Sequence, residues 1–249
     1  MSAVKKTLPA EQVSPLSFEN ISVGYGAFRV ASDVNITLKS GHIHGLIGLN
    51  GVGKTTLIKT LLGLRDPQEG HISIFGETCG TLKAKKKISY LPERFDPPWF
   101  LTGLEFVRFS AKLYNATISD KDIFEMAEKL SLDTHFLSQK AQSYSKGMRQ
   151  KLGLIATVLM PAKLLILDEP MSGLDPLARV QVKDVLEACR DAGKTIFLSS
   201  HILADLDEMC EDISILHGGA IVYSGSPEAL RKKTKEKSLE RAFLKSIAS

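Results

Sequence analysis

The chain has 249 residues, 43% of them from the set AVILMFWYC and 24% charged, with 32 Lys and Arg against 28 Asp and Glu. That composition excludes collagen-like, mucin-like and wholly disordered chains, and the formal charge of +4 does not demand a nucleic acid partner. The longest uncharged apolar stretch, Leu152 to Ala162, has 11 residues, well short of the ~20 that cross a bilayer as a helix.

Met1 to Pro15 is polar, with Lys5 and Lys6 but no apolar segment behind them, so it reads as a loose leader rather than a secretory signal. Strand-like segments follow at Leu16 to Val23, Val34 to Leu38 and His42 to Ile47. The period then changes: Leu57, Ile58, Leu61 and Leu62 predict a helix from Lys54 to Gly63, and strands resume at Ile72 to Phe75 and Ile88 to Leu91. After Pro92, Pro97 and Pro98 come three helical stretches, Leu104 to Tyr114, Asp120 to Leu132 and Lys146 to Leu159, which read as an insertion over about 94–160. A strand at Leu164 to Leu167, a helix from Pro176 to Asp191, a strand at Thr195 to Ser199 and a short helix after His201 precede a strand pair, Ile213 to Leu216 and Ala220 to Tyr223. This alternation predicts an α/β fold with a mainly parallel, covered sheet. Basic runs at Lys83 to Lys87 and in a helical tail over 229–249 read as solvated charge, the tail as a frayed terminus. The three cysteines are far apart and fit a reducing compartment better than a disulfide framework.

Gly48-Leu49-Asn50-Gly51-Val52-Gly53-Lys54-Thr55 matches GxxxxGK[ST] between a predicted strand and a predicted helix. The glycines allow successive N–H groups to face one phosphate chain at a helix N-terminus, where the helix dipole adds positive potential. In that motif Lys54 reaches the β and γ phosphates, and the Thr55 hydroxyl ligates Mg²⁺. Four apolar residues, Leu164 to Leu167, then run into Asp168 and Glu169, as a buried strand does when its C-terminal end faces a ligand crevice. Asp168 is a candidate Mg²⁺ ligand, and Glu169 a candidate general base or water-orienting group. A second anion grip is predicted at Tyr144-Ser145-Lys146-Gly147-Met148-Arg149-Gln150, where a hydroxyl, a glycine N–H and a helix start coincide.

With two grips in one chain, the sequence resembles the nucleotide-binding subunit of an ABC transporter, the last segment standing at the place of the LSGGQ signature. The resemblance runs from about Leu16 to Ser226. It places Tyr25 at the aromatic position that stacks on adenine, Ser172-Gly173-Leu174-Asp175 at the D-loop and His201 at the switch histidine. It implies a P-loop NTPase (RecA-like) core, an antiparallel N-terminal β subdomain and a helical signature subdomain within an ATPase domain at 16–228. Gly48, Asn50, Gly51, Gly53, Lys54, Thr55 and Thr56 would bind nucleotide with Tyr25, while Ser145 and Gly147 would complete the site of another copy. Glu169, His201 and Asp175 would serve hydrolysis. Two departures stand out: Tyr144, Lys146 and Met148 differ from the signature, and Glu93 replaces the usual Q-loop glutamine as a candidate metal ligand.

The resemblance further implies an ATPase using ATP and Mg²⁺, paired with a second copy or a paralogue and docked on a membrane permease at the cytoplasmic face, with a lean to export. No nucleic acid partner is expected. Pro97, Pro98, Trp99 and Phe100 would offer an apolar docking rim, although such residues suit a core equally well. The alternative, a soluble ABC ATPase of translation or repair, calls for two such domains in one chain or a long coiled coil. The sequence has one phosphate loop and no sustained heptads.

Overall fold

Period-two burial separates two cores in the computed structural model, which describes residues 13–26 and 28–248. The elements are β1 (Ser17–Tyr25), β2 (Phe28–Thr37), β3 (Ile43–Ile47), α1 (Lys54–Leu61), β4 (Glu69–Ile74), β5 (Glu77–Thr78), α2 (Leu82–Lys85) and β6 (Ile88–Leu91). There follow α3 (Gly103–Leu113), α4 (Asp120–Lys129), α5 (Thr134–Leu137), α6 (Lys146–Val158), β7 (Leu164–Asp168) and α7 (Pro176–Asp191). The chain continues through β8 (Thr195–Ser200), α8 (Leu203–Met209), β9 (Asp212–His217), β10 (Ala220–Gly225), α9 (Pro227–Thr234) and α10 (Leu239–Ile247).

The larger sheet has the order β10-β9-β3-β8-β7-β6, parallel except for the β9–β10 pair. The smaller is antiparallel, in the order β2-β1-β4-β5. Every residue of β3 is buried, as a central strand covered on both faces must be. Its Ile43 and Ile47 join the core beneath the helical insertion and α7, whereas Leu46 joins Phe18, Leu57, Ile58 and Leu61 between the two sheets. Helix α1 is thereby clamped between sheets, and the loop that precedes it is held at both ends. Thr102, Ser119, Ser145, Asp175, Ser226 and Ser238 each accept a backbone N–H at the start of the following helix, so short polar residues set the helix boundaries.

The main elements lie where the sequence places them, with differences that have local causes. Strand β2 starts at Phe28 rather than Val34, because register shifts and Asp33 at φ +49° break its alternation. Helix α4 stops at Lys129 instead of Leu132, since Ser131 turns left-handed at φ +47°. The tail differs in kind. It is helical, but Leu230, Leu239, Ala242 and Phe243 are buried in the larger core, and Arg231 pairs with Asp207 of α8. The charged residues that dominate its composition concealed that apolar stripe. Of the leader, residues 1–12 lie outside the described residues, while the Ser14 hydroxyl and the Pro15 carbonyl already bond to β2's end and Phe75. Lys83, Lys85 and Lys86 are exposed as expected, but Lys87 is half-buried, its Nζ donating to the Phe75 carbonyl at 3.2 Å and pairing with Glu77. Among the described residues, no helix is long and apolar enough to cross a membrane.

His44, on the β3 face that carries Leu46, is buried with Nε2 2.9 Å from the Ser214 hydroxyl and its ring against Phe197. Burial holds its imidazole down at about 4, against the attraction of Asp212. Unfolding frees the ring to take up a proton below pH ~6.5, so this stabilisation is complete above that pH and is lost as pH falls toward 4. The predicted loss is roughly 3 kcal/mol. Urea unfolding across pH 7 to 4 should show His44→Gln lacking this part of the slope; parallel profiles for the two proteins would contradict it.

Candidate functional site

Strand β3 delivers the chain at Ile47 into a loop that has no room for a side chain at two positions, Gly48 and Gly53. A Cβ on Gly48 would lie 2.7 Å from Val52 Cγ1 and 2.8 Å from the Leu216 carbonyl oxygen. Gly53 combines φ +115° with a Cβ position only 2.5 Å from Val30 Cγ1, so glycine alone fits between the loop and β2. The N-terminus of α1 follows at once. Lys54 turns back over the loop, 7% exposed, and its Nζ donates to the Gly48 carbonyl at 2.7 Å and the Leu49 carbonyl at 3.4 Å.

Opposite that ammonium, β7 ends in Asp168 and Glu169. Lys54 Nζ lies 3.4 Å from Glu169 Oε1, and His201 Nδ1 is 2.8 Å from Glu169 Oε2. Glu169 adopts φ +51°, a conformation costing a non-glycine residue roughly 1–2 kcal/mol, and its carboxylate is thereby turned back toward the loop. The adjacent end of β8 supplies a support that the sequence reading did not single out. The Ser199 hydroxyl donates to Asp168 Oδ1 at 2.5 Å and accepts the Glu169 N–H at 3.0 Å. One hydroxyl thus holds the Asp168 carboxylate and the Glu169 backbone. The residue was visible in the run before His201, but an unmarked serine at a strand end carries no signal without the β7–β8 pairing. Burial pushes the Asp168 carboxyl above its usual value, against hydrogen bonds from Ser199 and Thr55 and with the negative charges of Glu93 and Glu169 adding to the rise. Asp168 Oδ2 and Glu169 Oε1 are buried with no hydrogen-bond partner.

These groups border a cavity of about 800 Å³. Tyr25, Asn50, Gly51, Gly53, Lys54, Thr55, Thr56, Glu93, Glu169 and His201 all line it, drawn together from β1, the loop, α1, the segment after β6, and the ends of β7 and β8. Gly48 contributes its carbonyl to Lys54, and Asp168 lies behind Glu169 and Ser199. Phe28, Val30, Leu49 and Ser172 also line the cavity, although no motif marks them. Phe28 pairs with Tyr25 across the β1–β2 turn and is 70% exposed.

Ser145, Gly147 and Asp175 are not in that cavity. They line a separate one of about 280 Å³ between α6 and the start of α7. Ser145 caps α6 by accepting the Met148 N–H at 3.3 Å, and Asp175 caps α7 by accepting the Ala178 N–H at 2.9 Å. Tyr144 is buried, donating its hydroxyl hydrogen to the Phe136 carbonyl at 2.6 Å, so the exposed Ser145 stands on a fixed base. Gln150 links the two regions, its Nε2 donating to the Pro170 carbonyl at 3.1 Å, one residue beyond Glu169.

Residues 31–172 match the ABC transporter family. An uncharacterized ABC transporter ATP-binding protein of Nostoc sp. is 38% identical over 199 residues, 79% of this chain and 59% of the relative, so the chain spans under two thirds of that protein's length. The bacitracin transport ATP-binding protein BcrA of Enterococcus faecalis is 34% identical over 227 residues, 88% of this chain and 71% of BcrA. A solved structure described as the ATP binding subunit of an ABC transporter superposes with a TM-score of 0.85 at 32% identity, covering 94% of this chain and 99% of that one. The family match over more than half of the chain, and relatives at 34% and 32% identity, place the chain in the ABC transporter family.

Proposed function

We propose that the chain binds and hydrolyses ATP as one of two subunits that close head to tail, energising a separate membrane permease from the cytoplasmic face. The observation that carries this reading is the separation of two anion grips on one chain: Lys54 and Glu169 border one cavity, Ser145 and Gly147 another. Each is half of a phosphate site, and a second copy in reversed orientation supplies the other half.

In the chain alone, Lys54 is held by two carbonyls and Glu169. Entering phosphates compete for that ammonium with charge-assisted contacts, drawing it from Glu169 and freeing a carboxylate oxygen for the attacking water. Glu169 then takes or orients the water's proton, and His201 holds its other oxygen. Tyr25 offers its ring to the adenine. From the partner copy, the Ser145 hydroxyl, the Gly147 N–H and the α6 N-terminus face the γ phosphate, and Asp175 at the start of α7 lies beside them. Thr55, Asp168 and Glu93 would hold Mg²⁺: the donors are oxygens suited to a hard cation, and the unpartnered buried Asp168 Oδ2 needs a positive neighbour. When bound, the ion neutralises phosphate charge. Of the expected rim, Pro97 is buried and Pro98 half-buried, whereas Trp99 and Phe100, 65% and 53% exposed and packed edge to face, support a docking rim made of those two residues. The bacitracin transport role in the name of BcrA supports a transporter subunit.

Three outcomes test the reading. Glu169→Gln should retain ATP binding, slow hydrolysis by about 100-fold or more and accumulate as a dimer with ATP in size-exclusion light scattering; a purely monomeric mutant would count against closure. Lys54→Ala and Ser145→Arg chains, each inactive alone, should regain activity when mixed, because the hybrid contains one intact composite site. No recovery in demonstrated hybrids would mean that Ser145 acts within its own chain. Ser199→Ala should lower Mg²⁺-dependent hydrolysis by roughly 10- to 100-fold through loss of carboxylate orientation; wild-type turnover would remove Ser199 from the account.

A further inference from the structure

Tyr25 lines the phosphate cavity with its ring 53% exposed, yet that ring is not free on both sides. The Arg65 guanidinium carbon lies 4.0 Å from the ring centroid, over one face. Arg65 belongs to the turn after α1, and its Nη1 donates to the Gly24 carbonyl, immediately before the tyrosine. From the same turn, Gln68 Nε2 donates to the Gly26 carbonyl at 2.8 Å, and the Gln68 N–H donates to the Ser22 carbonyl at 2.8 Å. One turn therefore grips the backbone on both sides of Tyr25 and covers the back of its ring. The Thr56 side chain, and then the positive charges of Arg65 and Lys59, keep the Tyr25 hydroxyl below the usual tyrosine value against the opposing effect of desolvation.

A ring capped on one face by a planar cation has a single face left for a second planar group. The guanidinium is attracted to the negative π face, is weakly hydrated and stacks flat. A ring already fixed in this way loses little freedom when a base settles on it. We propose that Arg65 is a positioning residue for the nucleobase: it backs Tyr25 so that a purine stacks on the face turned to the cavity, in the order guanidinium, phenol, purine. This assignment rests on the reading of the cavity as an ATP site. Arg65 acts on the base end: it bonds the Gly24 carbonyl and lies over the Tyr25 ring, whereas the phosphate end is built from the Gly48–Thr55 loop and Lys54.

The test separates the two ends of the ligand. Dissociation constants for ATP and for inorganic tripolyphosphate are measured by calorimetry on the full chain and on Arg65→Leu, Arg65→Lys, Tyr25→Leu and the Arg65→Leu/Tyr25→Leu double variant, with thermal melts as a check of folding. Arg65→Leu should weaken ATP about three- to tenfold and leave tripolyphosphate within about twofold. Arg65→Lys, which keeps the charge but loses the flat stack, should fall between. In the Tyr25→Leu background Arg65→Leu should add almost nothing, because both changes remove one interaction. Equal weakening of both ligands by Arg65→Leu, or an undiminished effect without Tyr25, would overturn the proposal and reduce Arg65 to a structural role. A wild-type chain that binds tripolyphosphate but gains nothing from the nucleoside would overturn it through the ATP reading itself.

Discussion

A buried ammonium facing a buried carboxylate at the end of a parallel sheet is the constraint to which the surrounding structure answers. Lys54 and Glu169 are both under a tenth exposed, and removing one partner from such a pair typically costs about 3 to 5 kcal/mol. Their charges are tolerable because the neighbours are polar and fixed: carbonyls of the glycine loop on Lys54, His201 on the Glu169 carboxylate and Ser199 on the Glu169 backbone N–H. Each of those groups sits at the C-terminal end of β3, β7 or β8, or just beyond it. The order β3-β8-β7 in the sheet brings them together, so the topology and the electrostatics state the same requirement.

In the single chain that cluster is closed on itself, and under the proposed function it is one half of a phosphate site. Its lysine is occupied by protein acceptors, while Ser145 and Gly147 line another cavity at the start of α6. Gln150 and Pro170 give the two regions a common mechanical link, since the helix that carries Ser145 is bonded to the segment leaving Glu169. The apolar rim at Trp99 and Phe100 precedes α3 in the same helical insertion. The Gln150–Pro170 hydrogen bond thus ties that insertion to the chain leaving Glu169, and the proposed coupling to a membrane partner would run through it.

How much of this was legible in the sequence depends on how far each signal reaches along the chain. The glycine loop, the apolar run into Asp168 and Glu169, and the helix Pro176–Asp191 are local patterns, and they lie where the residues place them. Ser199 and Phe28 gain their positions only from strand pairing, which no local window contains. The short elements α2, α5 and β5 have two to four residues each, too few for a period to show. In the tail, lysines outnumber the buried Leu230, Leu239 and Phe243, and composition concealed a packed helix pair. The acids show the converse: their residue types were plain, but the left-handed backbone that turns Glu169 toward Lys54 was not.

Completion of each site by a second chain is the central claim, and a cross-link between chains tests it most directly. Chains carrying only Asn50→Cys are mixed with chains carrying only Ser145→Cys, in a background where the partly exposed Cys79 is serine, and are treated with a short thiol-specific cross-linker. The account predicts a covalent mixed dimer with ATP and little without it. Absence of that dimer at saturating ATP, together with an intramolecular cross-link in a chain bearing both cysteines, would contradict it.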